Sequence, residues 1–422
     1  MNISEKAKKE LDSLVNIAKS YRDNVISYST FLDVVSTLKL TRDEVLNLQE
    51  YVFSQGVSLS GIEIEDDNDD NRDAHIDPYD PTKIDIALKT MSLSLLIDRL
   101  SADEFDLMPD FQRKAGLWTN EQKSQLIESL ILRIPLPAFY FDGSSNDRWI
   151  VIDGLQRLTA LKDFFVTKEL KLQGLEFLKD LEYVGVDDLP RAYIRRMNET
   201  QIISYIISPG APINLKYNIF KRINTGGLQL EPQEIRHALY QGNATKFISK
   251  LAALNIFSVA TSYSVATERM LDREFVTRFI AFKVIGVDKY MGSIEIFLNN
   301  AMDYLNTCDN NQFIVLEKAF TNSLDLAYKL FGKYAFRKMF DIERRRPINK
   351  ALFETWTCLL SKLTTNEQAL LLKKREILLD NYIEMTNLDD EFLQSLNSGK
   401  ISSARKRFEK IDTLLKEVLK YD

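Results

Sequence analysis

The clearest change in hydrophobic pattern along the chain lies between residues 148 and 165. Residues 148–152 are typical of a strand in which Trp149 and Val151 face one way and Ile150 and Ile152 the other. From Leu155 onward the apolar positions recur every three or four residues, which is the spacing of a helix. The pattern predicts a strand, a tight turn at Asp153–Gly154 and then a helix.

The region around this turn shows further alternation of strand and helix patterns. Thr119 is placed to cap a helix that runs to about Leu132, because its hydroxyl can accept a backbone hydrogen bond from the first turn. The other predicted elements are a strand at 138–141, a hairpin turn at 142–147, a strand at 202–207 and a helix at 215–223. Together they predict a mixed α/β (α+β) core.

The segments on either side of this core have different patterns. Residues 1–64 show three short helical patterns and a brief alternating stretch, which predicts a small N-terminal helical domain. Residues 65–79 are acidic and nearly free of apolar side chains, as in a linker. The core is predicted over 80–243 and a mostly helical C-terminal domain over 244–422, where apolar stripes include Leu271, Phe275, Phe279, Phe408, Ile411 and Leu415.

The turn at Asp153–Gly154 has the chemistry of a phosphate site. The first backbone N–H groups of a helix lack partners within it and lie at the positive end of its dipole. Arg157 adds a forked cation suited to phosphate oxygens, Asp153 can hold a metal ion or its water, and Gln156 can orient a water. The alternative left open is a capped helix in which Arg157 forms a structural ion pair.

Several separated motifs, taken in order, resemble the N-terminal, DGQQR-motif domain of GmrSD-type restriction endonucleases. The resemblance extends from about Pro81 to Gly242 and continues more weakly at 269–274 and 346–354. Its blocks are Leu107–Arg113, Ser124–Pro137, Asp153–Arg157, Phe220–Gly227 and Glu234–Arg236. The first Gln of the family motif is Leu155 in this chain, which puts the rate of hydrolysis and the nucleotide preference in doubt.

The resemblance implies a ParB/sulfiredoxin-like core that binds and hydrolyses a nucleoside triphosphate with Mg²⁺, in bacterial defence against modified foreign DNA. It implies DNA and a separate nuclease subunit as partners, and no residues are assigned as a dedicated set of metal ligands. The residues implied are Asp153, Gln156 and Arg157 for catalysis, and Gln112, Arg113, Gly154, Asn224, Thr225 and Gly226 for nucleotide binding.

Two other functions stay open at the level of sequence. One is a ParB-like protein that binds or nicks DNA, with Arg113 and Arg157 gripping phosphates. The other is a transcription-linked regulator without catalysis, because the N-terminal segment is similar to the autoinhibitory region of primary bacterial sigma factors. An unrelated helical bundle explains that segment equally well, and the acidic run is either a solvated spacer or a DNA mimic.

Composition narrows these choices. The chain has 422 residues, 45% of them hydrophobic and 27% charged, with a formal charge of −6, which argues against a DNA-binding surface over the whole protein. Two cysteines, Cys308 and Cys358, exclude a disulfide framework, and two histidines, His75 and His237, cannot build a His-rich HNH nuclease site. The charged N-terminus and the lack of a long apolar run predict a cytoplasmic protein with no signal peptide.

One local exception to the acidic balance is a basic cluster between helical patterns. It consists of Arg337–Lys338 and Arg344–Arg346. Such clusters are mostly solvated faces, and contact with nucleic acid is the functional alternative.

Overall fold

The computed structural model describes residues 12, 15, 25–27, 31, 52, 58–60, 64–65, 86–107, 118–143, 148–208, 213–223 and 231–420. The chain forms two compact units, one of residues 77–239 and one of residues 1–76 with 240–422. The predicted domain limits at 64, 79 and 243 stay predictions, since most of residues 1–85 lie outside the described part.

The helices and strands of the described residues are numbered here in chain order. The strands are β1 (Val25–Ser27), β2 (Ser58–Ser60), β3 (Ile64–Glu65), β4 (Ile86–Ser92), β5 (Phe105–Asp106), β6 (Phe139–Asp142), β7 (Trp149–Asp153), β8 (Gln201–Ile207) and β9 (Ile348–Asn349). In unit 77–239 the α-helices are α1 (Leu93–Ser101), α2 (Asn120–Ile131), α3 (Leu155–Leu161), α4 (Arg191–Asn198), α5 (Ile213–Ile223) and α6 (Pro232–Leu239). In the other unit they are α7 (Asn243–Ala252), α8 (Asn255–Ala260), α9 (Leu271–Val284), α10 (Ile294–Thr307), α11 (Asn310–Phe331), α12 (Lys350–Leu360), α13 (Thr365–Lys373), α14 (Arg375–Leu388), α15 (Asp390–Ser395) and α16 (Ile401–Lys420).

Unit 77–239 is built on a mixed sheet in the order β4-β8-β6-β7-β5. β6 is antiparallel to β7 and parallel to β8, and β4 is antiparallel to β8. Residues of β6, β7 and β8 pack with α1, α2 and α3 in one hydrophobic core on one face of this sheet. The strands predicted at 138–141, 148–152 and 202–207 are confirmed, each within one or two residues.

Helix α2 begins where the sequence predicts. The Thr119 hydroxyl accepts a hydrogen bond from the Gln122 backbone N–H, and the Gln122 side chain accepts one from the Thr119 N–H. This reciprocal pair satisfies two of the donors that a helix N-terminus leaves open. The helix holds Ile127 and Leu130 in the core.

Helix α2 also fixes a loop that the sequence did not predict. The buried Glu128 carboxylate accepts hydrogen bonds from the backbone N–H groups of Glu176, Phe177 and Leu178. Burial by itself raises the pKa of Glu128, but these three hydrogen bonds outweigh it, so the pKa is lowered. The loop therefore depends on one ionised carboxylate.

Helix α5 packs against the second face of the sheet. Its Lys216 Nζ donates to both carboxylate oxygens of Asp142 in β6, at 2.8 and 3.1 Å. Both side chains are largely buried, which makes their hydrogen bonds necessary, because an unpaired buried charge is costly. Helix α5 also contacts β7 and α6.

Among its described residues, the other unit is helical apart from two short parallel strand pairs and short turns. Strand β1 pairs with β2, and β3 pairs with β9, so that Glu65, the first residue of the predicted linker, lies opposite Asn349. The mostly helical pattern predicted after residue 243 is confirmed, and Cys308 and Cys358 are both buried, as predicted.

The centre of this unit contains a buried charged network. The Glu354 carboxylate of α12 accepts hydrogen bonds from Arg278 of α9, at 3.0 Å, and from Arg407 of α16. Arg278 also pairs with Glu274, and Arg407 donates to two backbone carbonyls. Three helices are thereby joined around one fully buried carboxylate.

The described residues thus have an α+β architecture with a small mixed sheet and many helices, which confirms the predicted class at that level. The likeness to the ParB/sulfiredoxin fold stays a prediction. None of the helices in the described part of the chain is both long and apolar enough to cross a membrane.

Candidate functional site

Asp153 ends β7, and a β-bulge sets its position. In the pairing of β7 with β6, Val151 lies opposite Phe141 while Asp153 lies opposite Tyr140, so that Ile152 is the extra residue. A bulge of this kind bends the strand and redirects the side chain beside it, and bulges are frequent next to functional sites. The Asp153 side chain is 36% exposed, which leaves its carboxylate accessible.

Glycine is the only residue type that fits at position 154, between β7 and α3. Its φ is +100°, in the left-handed region, and a Cβ there would lie 2.4 Å from Phe139 Cδ1. The backbone leads directly into α3, where Leu158 N–H donates to Gly154 O at 2.8 Å. Gly154 therefore allows the strand to turn into the helix within one residue.

The Arg157 side chain is buried, and its guanidinium group contacts three hydrogen-bond acceptors and one aromatic ring. Its guanidinium donates to Asp153 Oδ2 at 2.9 Å, to Ala138 O at 3.3 Å and to Pro137 O. Its Cζ lies 4.4 Å from the centre of the Phe139 ring, and its side chain is only 10% exposed.

Burial lowers the pKa of Arg157, while the charge and the hydrogen bond of Asp153 act in the opposite direction. The structural ion pair that the sequence left open is thus present. Arg157 fixes the Asp153 carboxylate, and the catalytic role predicted for it stays a prediction.

Gln156 and Leu155 occupy the first turn of α3. Gln156 Oε1 accepts a hydrogen bond from the Trp118 backbone N–H at 3.2 Å, which connects the turn to the residue before the α2 cap. Leu155, which stands where the family motif has Gln, is partly buried against the hydrophobic core. Helical backbone continues beyond α3 through a π-helical turn, Lys162–Val166.

Two tyrosines that sequence reasoning missed lie beside Asp153. Tyr140 is paired with Asp153 on one side and with Tyr205 of β8 on the other. The two rings are stacked, with centroids 4.9 Å apart and planes at 18°. Burial raises the pKa of Tyr140, and the charges of Tyr205 and Asp153 raise it further. No local motif predicts this cluster, because it depends on the register of three strands.

The block at Glu234–Arg236 lies in α6 and is buried. Glu234 Oε2 accepts from the Glu231 backbone N–H at 2.7 Å, and Arg236 donates to Gln233 and stacks over Tyr217 of α5. These contacts connect α6 to α5. His237, predicted as a surface or packed residue, is half-buried in the same helix.

Other predicted site residues lie outside the described residues. These are Gln112, Arg113, Asn224, Thr225 and Gly226, and their predicted roles in nucleotide binding stay predictions. Among the described residues, no group of three or more His, Cys, Asp and Glu side chains is arranged to hold a metal ion.

Comparison with known proteins bears on residues 95–241. This stretch matches the family model described as the GmrSD restriction endonuclease, N-terminal domain. It spans the sheet from β5 to β8 and includes the turn at Asp153–Gly154. No curated protein and no solved structure matches the chain. The resemblance inferred from the motifs is therefore confirmed over residues 95–241, which are similar to the N-terminal domain of the GmrSD restriction endonuclease.

Proposed function

We propose that this domain binds a nucleoside triphosphate at the turn between β7 and α3 and hydrolyses it with Mg²⁺, as part of a restriction-type defence system. The observation that carries the proposal is the Asp153 carboxylate, which a bulge redirects and a buried arginine holds, while it stays open to a ligand. Pre-positioned, accessible carboxylates of this kind are typical of catalytic sites.

The chemistry of the turn fits a magnesium–nucleotide complex. Mg²⁺ is commonly bound through one or two carboxylates together with substrate phosphates, so Asp153 suffices on the protein side. The first N–H groups of α3 face the same turn, and Gly154 offers no side chain to cap them. In this proposal Arg157 acts as a positioning residue for Asp153.

Gln156 and Leu155 bear on hydrolysis more than on binding. Gln156 Oε1 is engaged by Trp118, so the orientation of an attacking water falls to its amide nitrogen. Leu155 brings an apolar side chain to a position that is polar in the resembled motif. We therefore expect nucleotide binding with slow hydrolysis.

The test is a screen of all four nucleoside triphosphates with Mg²⁺, with and without DNA, in wild-type protein and two variants. Asp153→Asn should reduce hydrolysis at least about tenfold, because the neutral amide holds the metal poorly. Asp187→Asn is the matched control, since Asp187 pairs with Lys168 at the surface. Hydrolysis that is equal in wild type and Asp153→Asn would contradict the proposal, as would a wild type that binds no nucleotide.

A second candidate function, contact with DNA, is favoured by a different region. In the helical unit, Asp341 accepts hydrogen bonds from the N–H groups of Glu343 and Arg344, which fixes the basic turn that follows. Arg337 is buried and donates to neutral acceptors, and burial together with the charge of Arg345 lowers its pKa to about 9. Such a concentration of positive charge favours a polyanion.

The DNA contact is tested by salt dependence. Replacing Arg344 and Arg345 by Glu should weaken DNA binding and flatten its dependence on salt, because fewer counterions are released. Nucleotide binding at the turn should be unchanged in that variant. An unaltered salt slope would exclude this surface.

A further inference from the structure

We propose that Tyr140 and Tyr205 form a stacking platform for the base of the nucleotide whose phosphates lie at Asp153. The inference rests on the proposed function and adds to it the place where the nucleoside lies. It starts from a row of residues that runs across the sheet in register.

The row is Asp153 in β7, Tyr140 in β6, Tyr205 in β8 and Leu88 in β4. Directly paired residues on neighbouring strands point to the same face of a sheet. Neighbouring strands lie about 4.8 Å apart, so two strand spacings, roughly 10 Å, separate Asp153 from Tyr205. A ribose and a triphosphate chain span a distance of this size.

The far end of the row is apolar and open. Leu88 is 60% exposed, and Ile203, two residues before Tyr205 on the same face, is 44% exposed. Exposed apolar side chains grouped beside polar ones are a mark of a binding surface. The row changes from a carboxylate, which would face the metal-bound phosphates, to two half-buried phenols and an exposed apolar side chain, which would face the nucleoside.

The other side of the tyrosines is closed. Asp142, two residues along β6 from Tyr140, is paired with Lys216, and this contact holds α5 against that part of the face. A ligand that extends from Asp153 is therefore directed toward Tyr205 and Leu88. Because the two rings are stacked with their planes at 18°, a base stacked on the outer face of Tyr205 would extend the same column of nearly parallel planes.

The platform differs from a purely structural tyrosine pair in what it predicts for ligands. Base stacking on an aromatic side chain tolerates any base, so all four nucleoside triphosphates should depend on it. Inorganic tripolyphosphate, which has no base, should not.

The experiment compares the binding of each nucleoside triphosphate and of tripolyphosphate, with Mg²⁺, by calorimetry on the full chain. Tyr205→Leu keeps an apolar side chain but removes the ring, and it should weaken nucleotide binding about tenfold or more while tripolyphosphate binding is unchanged. Tyr205→Phe keeps the ring and should bind like wild type. Tyr183→Ala, which removes an exposed tyrosine outside this row, is the control.

The outcomes separate the two proposals. Equal nucleotide affinity in Tyr205→Leu and wild type overturns the platform and leaves the phosphate site standing. An equal loss for nucleotide and tripolyphosphate also overturns it, because it shows a general effect on the fold. If wild-type protein binds tripolyphosphate and nucleotide with the same affinity, the base makes no contact and the platform is wrong. If it binds neither, the proposed function itself fails.

Discussion

Two independent constraints, one on the backbone and one on packing, favour glycine at position 154. The left-handed backbone costs a residue with a Cβ about 1–2 kcal/mol, and the added atom would overlap the Phe139 ring, which is fully buried and cannot move aside. Gly154→Ala should therefore lower the free energy of unfolding by more than the backbone cost alone, as measured by urea denaturation.

The matched comparison is Gly174→Ala in the same unit. Gly174 also has a positive φ, of +65°, but the atom nearest to its Cβ would be Glu121 Cγ at 2.9 Å, on an exposed side chain. We expect a clearly smaller loss of stability there. Equal losses in the two variants would show that the contact with Phe139 is not decisive.

Residues of the candidate site were predictable from sequence where they lie close together in the chain. Asp153, Gly154, Gln156 and Arg157 follow from one change of hydrophobic period and one family motif. The partners of Arg157 were not predictable, because Pro137 and Ala138 approach it only through the pairing of β6 with β7. Tyr205 is more distant still, and its place depends on strand order.

At the scale of single elements, the loop held by Glu128 should depend on pH. Its pKa is below the ordinary value of 4.5, because backbone hydrogen bonds to the carboxylate outweigh its burial. A lowered native pKa contributes stability that is complete above the ordinary value and is lost as pH falls through the native value. The loop 173–184 should therefore loosen in acid.

Hydrogen exchange of this loop, measured in wild type and Glu128→Gln over a range of pH, checks the expectation. The variant should exchange faster near neutral pH, and the two proteins should converge in acid. Glu176→Gln, an exposed residue of the same loop, should behave like wild type. A constant difference at all pH values would contradict the role of the ionised carboxylate.

Helices and strands could be predicted from the sequence where one face is apolar and buried. Helix α2 and strands β6–β8 have apolar residues on the core side and clear boundaries, so their patterns are visible in sequence. Strand β4 was missed because Ile86 and Leu88 face outward and are apolar, which removes the usual alternation. These outward-facing apolar side chains, which made β4 hard to predict, also give the sheet an exposed apolar edge.

At the scale of the whole molecule, the helical unit depends on the network around Glu354. Glu354→Gln removes the charge that pairs with Arg278 and Arg407 and leaves both guanidinium groups buried. Breaking a buried pair on one side typically costs about 3–5 kcal/mol. We expect urea unfolding of this unit at much lower concentration.

Glu391→Gln in the same unit is the control, since its pairing with Lys406 is at the surface and contributes little. Unfolding of the unit is best followed by exchange in α9, α12 and α16. Unchanged protection of those helices in Glu354→Gln would refute the central role of the network. This network joins residues up to 129 positions apart, from Arg278 to Arg407, and no sequence pattern pairs them.

The parallel pairing of β3 with β9 has a practical consequence for shortened versions of this protein. A chain that starts near Ile76, an obvious cut after the acidic stretch, loses β3 and thereby uncovers the side of β9 that pairs with Ile64 and Glu65. Uncovered strand edges recruit other chains, so such a truncation invites self-association and poor recovery. A cut placed before Ile64 keeps that edge covered, and only with such a chain can the contribution of the preceding residues be measured without an artefact of aggregation.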